Sequence, residues 1–157
     1  MEGKPRPAAT AAQAHAAMDQ MIALSHIGQQ DMAQRLGLNI TDLTCLGHII
    51  GAGDQPITAG DLATRAGLTT GAVTGVINRL ERAGFAHRQP DPTDRRRVRI
   101  VPDASASVRV YELYEPFYLR LGEQFADYSP DEIAVLADWF TRTTALMRTR
   151  LDEIRNP

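Results

Sequence analysis

The chain has a single cysteine, no long apolar run and no excess of positive charge, and each shortage narrows what it can be. Cys45 alone cannot close an intramolecular disulfide, and its isolation suits a reducing compartment. No apolar run approaches the roughly 20 residues that cross a bilayer. The opening stretch from Met1 to Pro7 does not read as a signal peptide. A cytoplasmic protein without a membrane partner is therefore expected. His15, His26, His48 and His87 lack metal-ligand spacing, and with one cysteine no zinc site is expected, nor is any cofactor implied. Nucleophile elbow, phosphate-binding glycine loop and HExxH are all missing, so an enzyme is not expected.

What is present is ordinary in bulk and uneven in distribution. At 157 residues, with 43% hydrophobic and 23% charged side chains, the chain fits one domain with a fair core and shows no mark of disorder or internal repeat. The net charge of −2 argues weakly against a nucleic-acid partner. Between Thr58 and Ile100, however, eight arginines face four carboxylates. That stretch carries +4, which leaves −6 for the rest. A basic middle inside an acidic frame is an electrostatic footprint confined to one face.

Residues 1–10 lack periodicity and are expected to be flexible. From Ala11 to Leu36 the composition is helix-forming, with Ala14, Met18, Met21, Ile22 and Met32 as a loose stripe and Gly37 as a stop. Asn39 can cap a second helix to about Gly51, with Asp42 placed to meet its amide ends and Leu43, Leu46, Ile49 and Ile50 apolar. Cys45 falls among these and reads as a small buried hydrophobe rather than a redox sensor. Residues 51–56 read as a loop.

The next two helices carry the functional signal. Thr58-Ala-Gly-Asp61 has capping-box spacing and opens a short helix with Ala59, Leu62, Ala63 and Ala66 on one face. Gly67 supplies a sharp exit, Thr69 caps a further helix, and Gly84 ends it. Val73, Val76, Ile77 and Leu80 recur at i, i+3, i+4 and i+7, so this helix has one apolar face. Thr70, Gly71, Thr74, Gly75 and Asn78 fall opposite, small and uncharged. A glycine inside a helix costs about 1 kcal/mol relative to alanine. A plain surface helix has no reason to keep two, whereas a helix that must approach another surface closely does. Helix, tight glycine turn and such a helix is the order of a helix-turn-helix, whose second member enters the major groove.

Phe85 to Gln89 can form a strand, Pro90-Asp-Pro-Thr-Asp94 is turn chemistry, and Val98 to Ile100 alternates like a returning strand. Together they make a wing, with Arg95, Arg96 and Arg97 on its descending side, within reach of phosphates or a minor groove. As an isolated triplet these arginines would read as a solvated charged turn. Beside the helix pair the nucleic-acid reading gains weight, and Arg79 and Arg88 join the candidate contacts.

Asp103 can cap a long helix to about Ala126, in which Pro116 should cause a kink or a break. Ser129-Pro-Asp-Glu132 opens the last helix with a capping box and proline at its first position. There Ile133, Ala137, Phe140, Thr144, Met147, Leu151 and Ile154 follow spacings of 4, 3, 4, 3, 4 and 3. That heptad seam calls for a partner helix, and a second subunit can supply it.

From Leu68 to Gly84 (LTTGAVTGVINRLERAG) and across Asp91-Pro-Thr-Asp-Arg-Arg96, the chain resembles the MarR family of regulators. The likeness covers the whole chain in element order and is specific from about Leu38 to Val101. It implies a mainly α (α+β) fold: one winged helix-turn-helix domain over residues 1–157, with a DNA-binding lobe at about 38–102. Long helices at about 11–36 and 104–157 then form the interface of a triangular homodimer. It further implies that Thr69, Thr70, Gly71 and Thr74 face the major groove. In the wing, Asp94 braces the hairpin while Arg95 or Arg96 reaches a minor groove. Two departures stand out: the usual Leu-Thr after the wing is Pro102-Asp103, and Pro116 is foreign to the pattern. The family's peroxide-responsive branch carries its sensing cysteine in the first helix, where this chain has none.

The function expected is a DNA-binding repressor, with double-stranded DNA and a second copy of itself as partners. A small aromatic or anionic effector is a further possible partner. Tyr111, Tyr114 and Tyr118, with His26 and His48, are candidates to line its pocket, although helical spacing favours plain packing for the tyrosines. The rival reading is a winged-helix module that binds protein. Such a module has no need of glycines on the outer helix face or of a triple-arginine wing.

Overall fold

The computed structural model describes Lys4, residues 6–94 and residues 96–155, in two compact units: Thr10–Tyr114, and Met1–Ala9 with Glu115–Pro157. The larger unit opens with α1 (Ala11–Arg35), which Thr10 and Gln13 start with a reciprocal capping box. Ala33 is the only residue α1 buries. Gly37, at φ +68°, ends that segment, and Asn39 caps α2 (Ile40–Ile50) by accepting from the Asp42 N–H at 2.8 Å. The Asp42 carboxylate does not serve the amide ends as expected. It is buried and turned elsewhere.

The expected loop at 51–56 is followed by a two-residue strand that the sequence did not betray, β1 (Ile57–Thr58). Two residues are too few to show alternation. Next come α3 (Ala59–Ala66), with its Thr58–Asp61 capping box intact, and α4 (Thr70–Arg82), capped by Thr69. Gly67 takes the left-handed conformation between them, at φ +65°. The wing is β2 (Ala86–Pro90) with β3 (Val98–Pro102). β3 lies between β1 and β2, antiparallel to both, with Ile57 opposite Ile100 and Arg88 opposite Ile100 across the other edge.

The core sits inside this lobe. Leu46, Ile49, Ile57, Leu62, Val73, Val76, Ile77, Leu80, Phe85, Ile100 and Ala106 form one buried cluster. All four periodic positions of α4 are in it, so the apolar face predicted for that helix is the face it buries. Cys45 is buried there too. Burial, and then the Asp42 charge, push its thiol above the ordinary value against a smaller pull from Arg79.

α5 (Ala104–Gln124) begins in the lobe. The Asp103 carboxylate, expected to cap it, stands 3.0 Å from His87 Nδ1 on β2, and the Arg109 guanidinium covers the Phe85 ring at 4.5 Å. Pro116 does not break α5 as expected: the helix continues for two further turns. It ends at Gln124, two residues early, in a 3₁₀ turn at Phe125–Asp127.

α6 (Pro130–Arg155) starts on the expected Ser129–Glu132 capping box and buries none of its residues. Residues before Thr10 were expected to be free. Arg6 instead stacks over Tyr128 at 3.8 Å and pairs with Glu132, and Lys4 Nζ meets Asp127 at 2.7 Å.

Candidate nucleic-acid interface

Packing Val73, Val76, Ile77 and Leu80 inward turns Thr69, Thr70, Gly71, Thr74 and Asn78 out to solvent. Two of the threonines already hold a hydrogen bond, and those bonds decide what they can still offer. Thr69 Oγ1 accepts from the Ala72 N–H at 3.3 Å, so its hydroxyl hydrogen stays available to donate. The Thr74 hydroxyl donates to the Thr70 carbonyl at 3.0 Å, leaving an oxygen that can accept. The Thr70 side chain has no partner among the described residues. A Cβ built on Gly71 meets nothing within 4 Å, and one on Gly75 meets only Arg79 Nη1 at 3.5 Å.

The expected arginines divide into struts and cations that make no ion pair among the described residues. Arg79 is a strut: Nε and Nη2 grip the Asp42 carboxylate at 2.9 and 2.7 Å. Arg88 is another, held by Glu81 through side chain and backbone and by Asn78 Oδ1 at 3.0 Å, which also engages Asn78. Arg99, which sequence reasoning passed over, binds Asp91 at 2.6 Å. Arg96 and Arg97 carry no side-chain ion pair among the described residues. The same holds for Arg65 at the end of α3. Arg95 lies outside the described residues.

Asp91 organises the wing, a role the sequence reading gave to Asp94. It is 4% exposed. Its carboxylate accepts from the Thr93 hydroxyl at 2.7 Å, the Thr93 N–H at 2.8 Å, the Asp94 N–H at 3.1 Å and Arg99 Nε. Those donors, the Thr93 hydroxyl foremost, hold the carboxyl far below the usual carboxylate range. Asp94 contributes one step further on, accepting from the Arg96 N–H at 3.0 Å. The turn is thereby fixed directly before Arg96 and Arg97, and the Arg97 charge reaches the Asp61 carboxylate on α3. The missed residues Asp42, Glu81, Asp91 and Arg99 had one weak signal, a charge beside an apolar position: Asp42 precedes Leu43, and Arg99 lies between Val98 and Ile100.

Comparison with known proteins bears on the same segment. The sequence profile of the MarR family matches residues 36–97. YcgE of Bacillus subtilis, described as an uncharacterized HTH-type transcriptional regulator, is 35% identical over 126 residues, which is 80% of each chain. The chain belongs to the MarR family. This MarR-family chain is also 24% identical over 123 residues to the transcriptional repressor YetL of B. subtilis, covering 76% of this chain and 73% of that one. A mutant of S. aureus MepR, solved bound to an oligodeoxyribonucleotide, shares the fold with a TM-score of 0.58 at 18% identity, over 85% of this chain and 97% of that one. The fold is a winged helix, and these relatives are regulators of transcription rather than enzymes.

The remaining candidate residues lie on the helices. His26 on α1 is exposed, with Gln30 Nε2 at 3.4 Å, and His48 is half-buried on α2. Tyr111 and Tyr118 are 65% and 61% exposed, and the Tyr118 ring meets that of Phe117 edge-on at 5.5 Å. Tyr114 is half-buried. Ile133, Phe140, Met147, Leu151 and Ile154, the expected interface residues, are all exposed in the single chain.

Proposed function

We propose that this MarR-family regulator is a homodimeric DNA-binding repressor of the cytoplasm, whose two α4 helices enter successive major grooves of a pseudo-palindromic operator. The observation that carries the reading is the outer face of α4. From Thr69 to Thr74 it is bare of charge and bulk, with no side-chain partner for Thr70 among the described residues and open space over Gly71, beside a wing whose Arg96 and Arg97 make no ion pair among the described residues. The relatives support the same reading, one being a named repressor and one a protein solved bound to an oligodeoxyribonucleotide.

Half-sites then lie about 10 bp apart, one turn of the duplex. On base edges, the Thr69 hydroxyl donates to guanine O6 or N7 or to a phosphate, and the Thr74 oxygen accepts from adenine N6 or cytosine N4. Thr70 can do either. Arg79 and Arg88 act as struts held by Asp42 and Glu81, while Arg96 and Arg97 meet phosphates or a minor groove. A helix of 26 residues that buries nothing by itself requires a partner, and the α6 seam of a second copy supplies one. The open aromatic face of α5 is the place for a small aromatic or anionic effector, which acts by preferring one spacing of the lobes over the other.

Selection of bound sites from random duplex DNA, followed by band shift in moderate salt, tests this reading. A recovered inverted repeat is expected. Arg96→Ala should weaken binding to every sequence and lower the slope of log affinity against log salt by about 1. An unchanged slope removes Arg96 from the interface. Retention of no duplex, even at low ionic strength, would favour the protein-binding winged helix.

A further inference from the structure

We propose that Asp42, buried in the first turn of α2, is a positioning residue for operator recognition: through Arg79 it sets how the recognition helix sits on the lobe. The proposal rests on the reading of α4 as that helix. The two residues are 37 apart in sequence and join the first turn of α2 to the last turns of α4.

The contact is a two-pronged one. Arg79 Nε lies 2.9 and 3.2 Å from the two Asp42 oxygens, and Nη2 lies 2.7 Å from one of them. Asp42 is 2% exposed, and Arg79 is the one cation paired with it among the described residues. Below this pair, Leu46 and Ile49 of α2 share the buried cluster with Val73, Val76, Ile77 and Leu80 of α4. Apolar packing of that kind resists separation but has no preferred direction, so it resists sliding and rotation poorly. A planar guanidinium gripped at two nitrogens does have a direction.

Gly75 fits the same arrangement. It leaves the third nitrogen, Nη1, lying along α4 at 3.5 Å from where a Cβ would stand. The strut therefore runs over the surface of the recognition helix instead of reaching out from it. Base-edge contacts tolerate misplacement of only about 0.5 Å or 10–20° before they fail. Losing the strut accordingly affects recognition before it affects charge-driven attachment.

The test uses the full-length protein, the duplex it selects from random DNA and a scrambled duplex of equal composition. The variants are Asp42→Asn, Arg79→Gln and the double variant, in which two neutral amides replace the ion pair. Circular dichroism and thermal melting verify that each variant is folded. If a single variant unfolds, the double variant, which leaves no buried charge unpaired, carries the test. The ratio of selected to scrambled affinity is expected to fall about tenfold, equally in the single and double variants, with an unchanged salt slope. Asp42→Glu, which keeps the carboxylate, should recover part of the ratio. An unchanged ratio in folded variants overturns the proposal while leaving DNA binding intact. So does a slope that drops by about 1 in Arg79→Gln, because Arg79 would then touch phosphate itself. Failure of the wild-type chain to select any duplex ends the DNA-binding reading, and this proposal with it.

Discussion

A Cβ built on Gly71 would meet nothing within 4 Å, so nothing among the described residues demands glycine there. Its φ is not in the left-handed region either, unlike that of Gly67 or Gly84. Gly71→Ala should thus raise stability by about 0.5 kcal/mol, less than the mid-helix figure because the residue lies in the first turn. If α4 lies against a duplex, the added methyl stands between backbone and base edges, and affinity should fall about tenfold while the melting temperature rises. A variant that is both more stable and undiminished in binding would place Gly71 away from DNA. Cys45 makes the opposite point. Its thiol is buried, and burial followed by the Asp42 charge raises it above the ordinary value, which is the setting of a packing residue.

Among the elements, the wing depends most on one group. Four donors converge on Asp91, and its carboxyl is held well below the usual range. A depressed carboxylate stabilises the fold fully above its unfolded value of about 4, and that contribution fades as pH falls further. Denaturation followed between about pH 3 and pH 7 should show this decline, and Asp91→Asn should remove that share of the slope. The same variant frees the turn before Arg96 and Arg97, so affinity for all duplexes should fall together. Selective loss for one sequence would mean that the wing reads bases. Element boundaries were legible where caps announced them: Thr58, Thr69 and Ser129 start helices where their spacing said they would. β1 was not legible, because it exists only as a partner for β3. Of the two outcomes expected at Pro116, a kink or a break, the break does not occur. A proline removes one backbone donor, a loss that α5 absorbs without ending.

Across the whole molecule, apolar surface is divided unequally. The lobe has a closed core, whereas α6 leaves Phe140, Met147, Leu151 and Ile154 uncovered. Phe140→Asp combined with Leu151→Asp places two charges on the seam. Sedimentation should then show a monomer in place of a dimer, with the lobe still folded and binding reduced to half-site strength. A persisting dimer would locate the interface elsewhere.

Period, caps and turn residues determined the helices, the wing and the bare outer face of α4, since each depends on neighbours within about one turn of chain. The family followed from the same local pattern. Tertiary structure alone decided which charges are available. Arg79, Arg88 and Arg99 look like Arg96 and Arg97 in sequence, yet each meets a carboxylate that folding brings beside it, 37, 7 and 8 residues away. A guanidinium is free or occupied according to what stands within about 3 Å of it, and only the folded chain sets that distance.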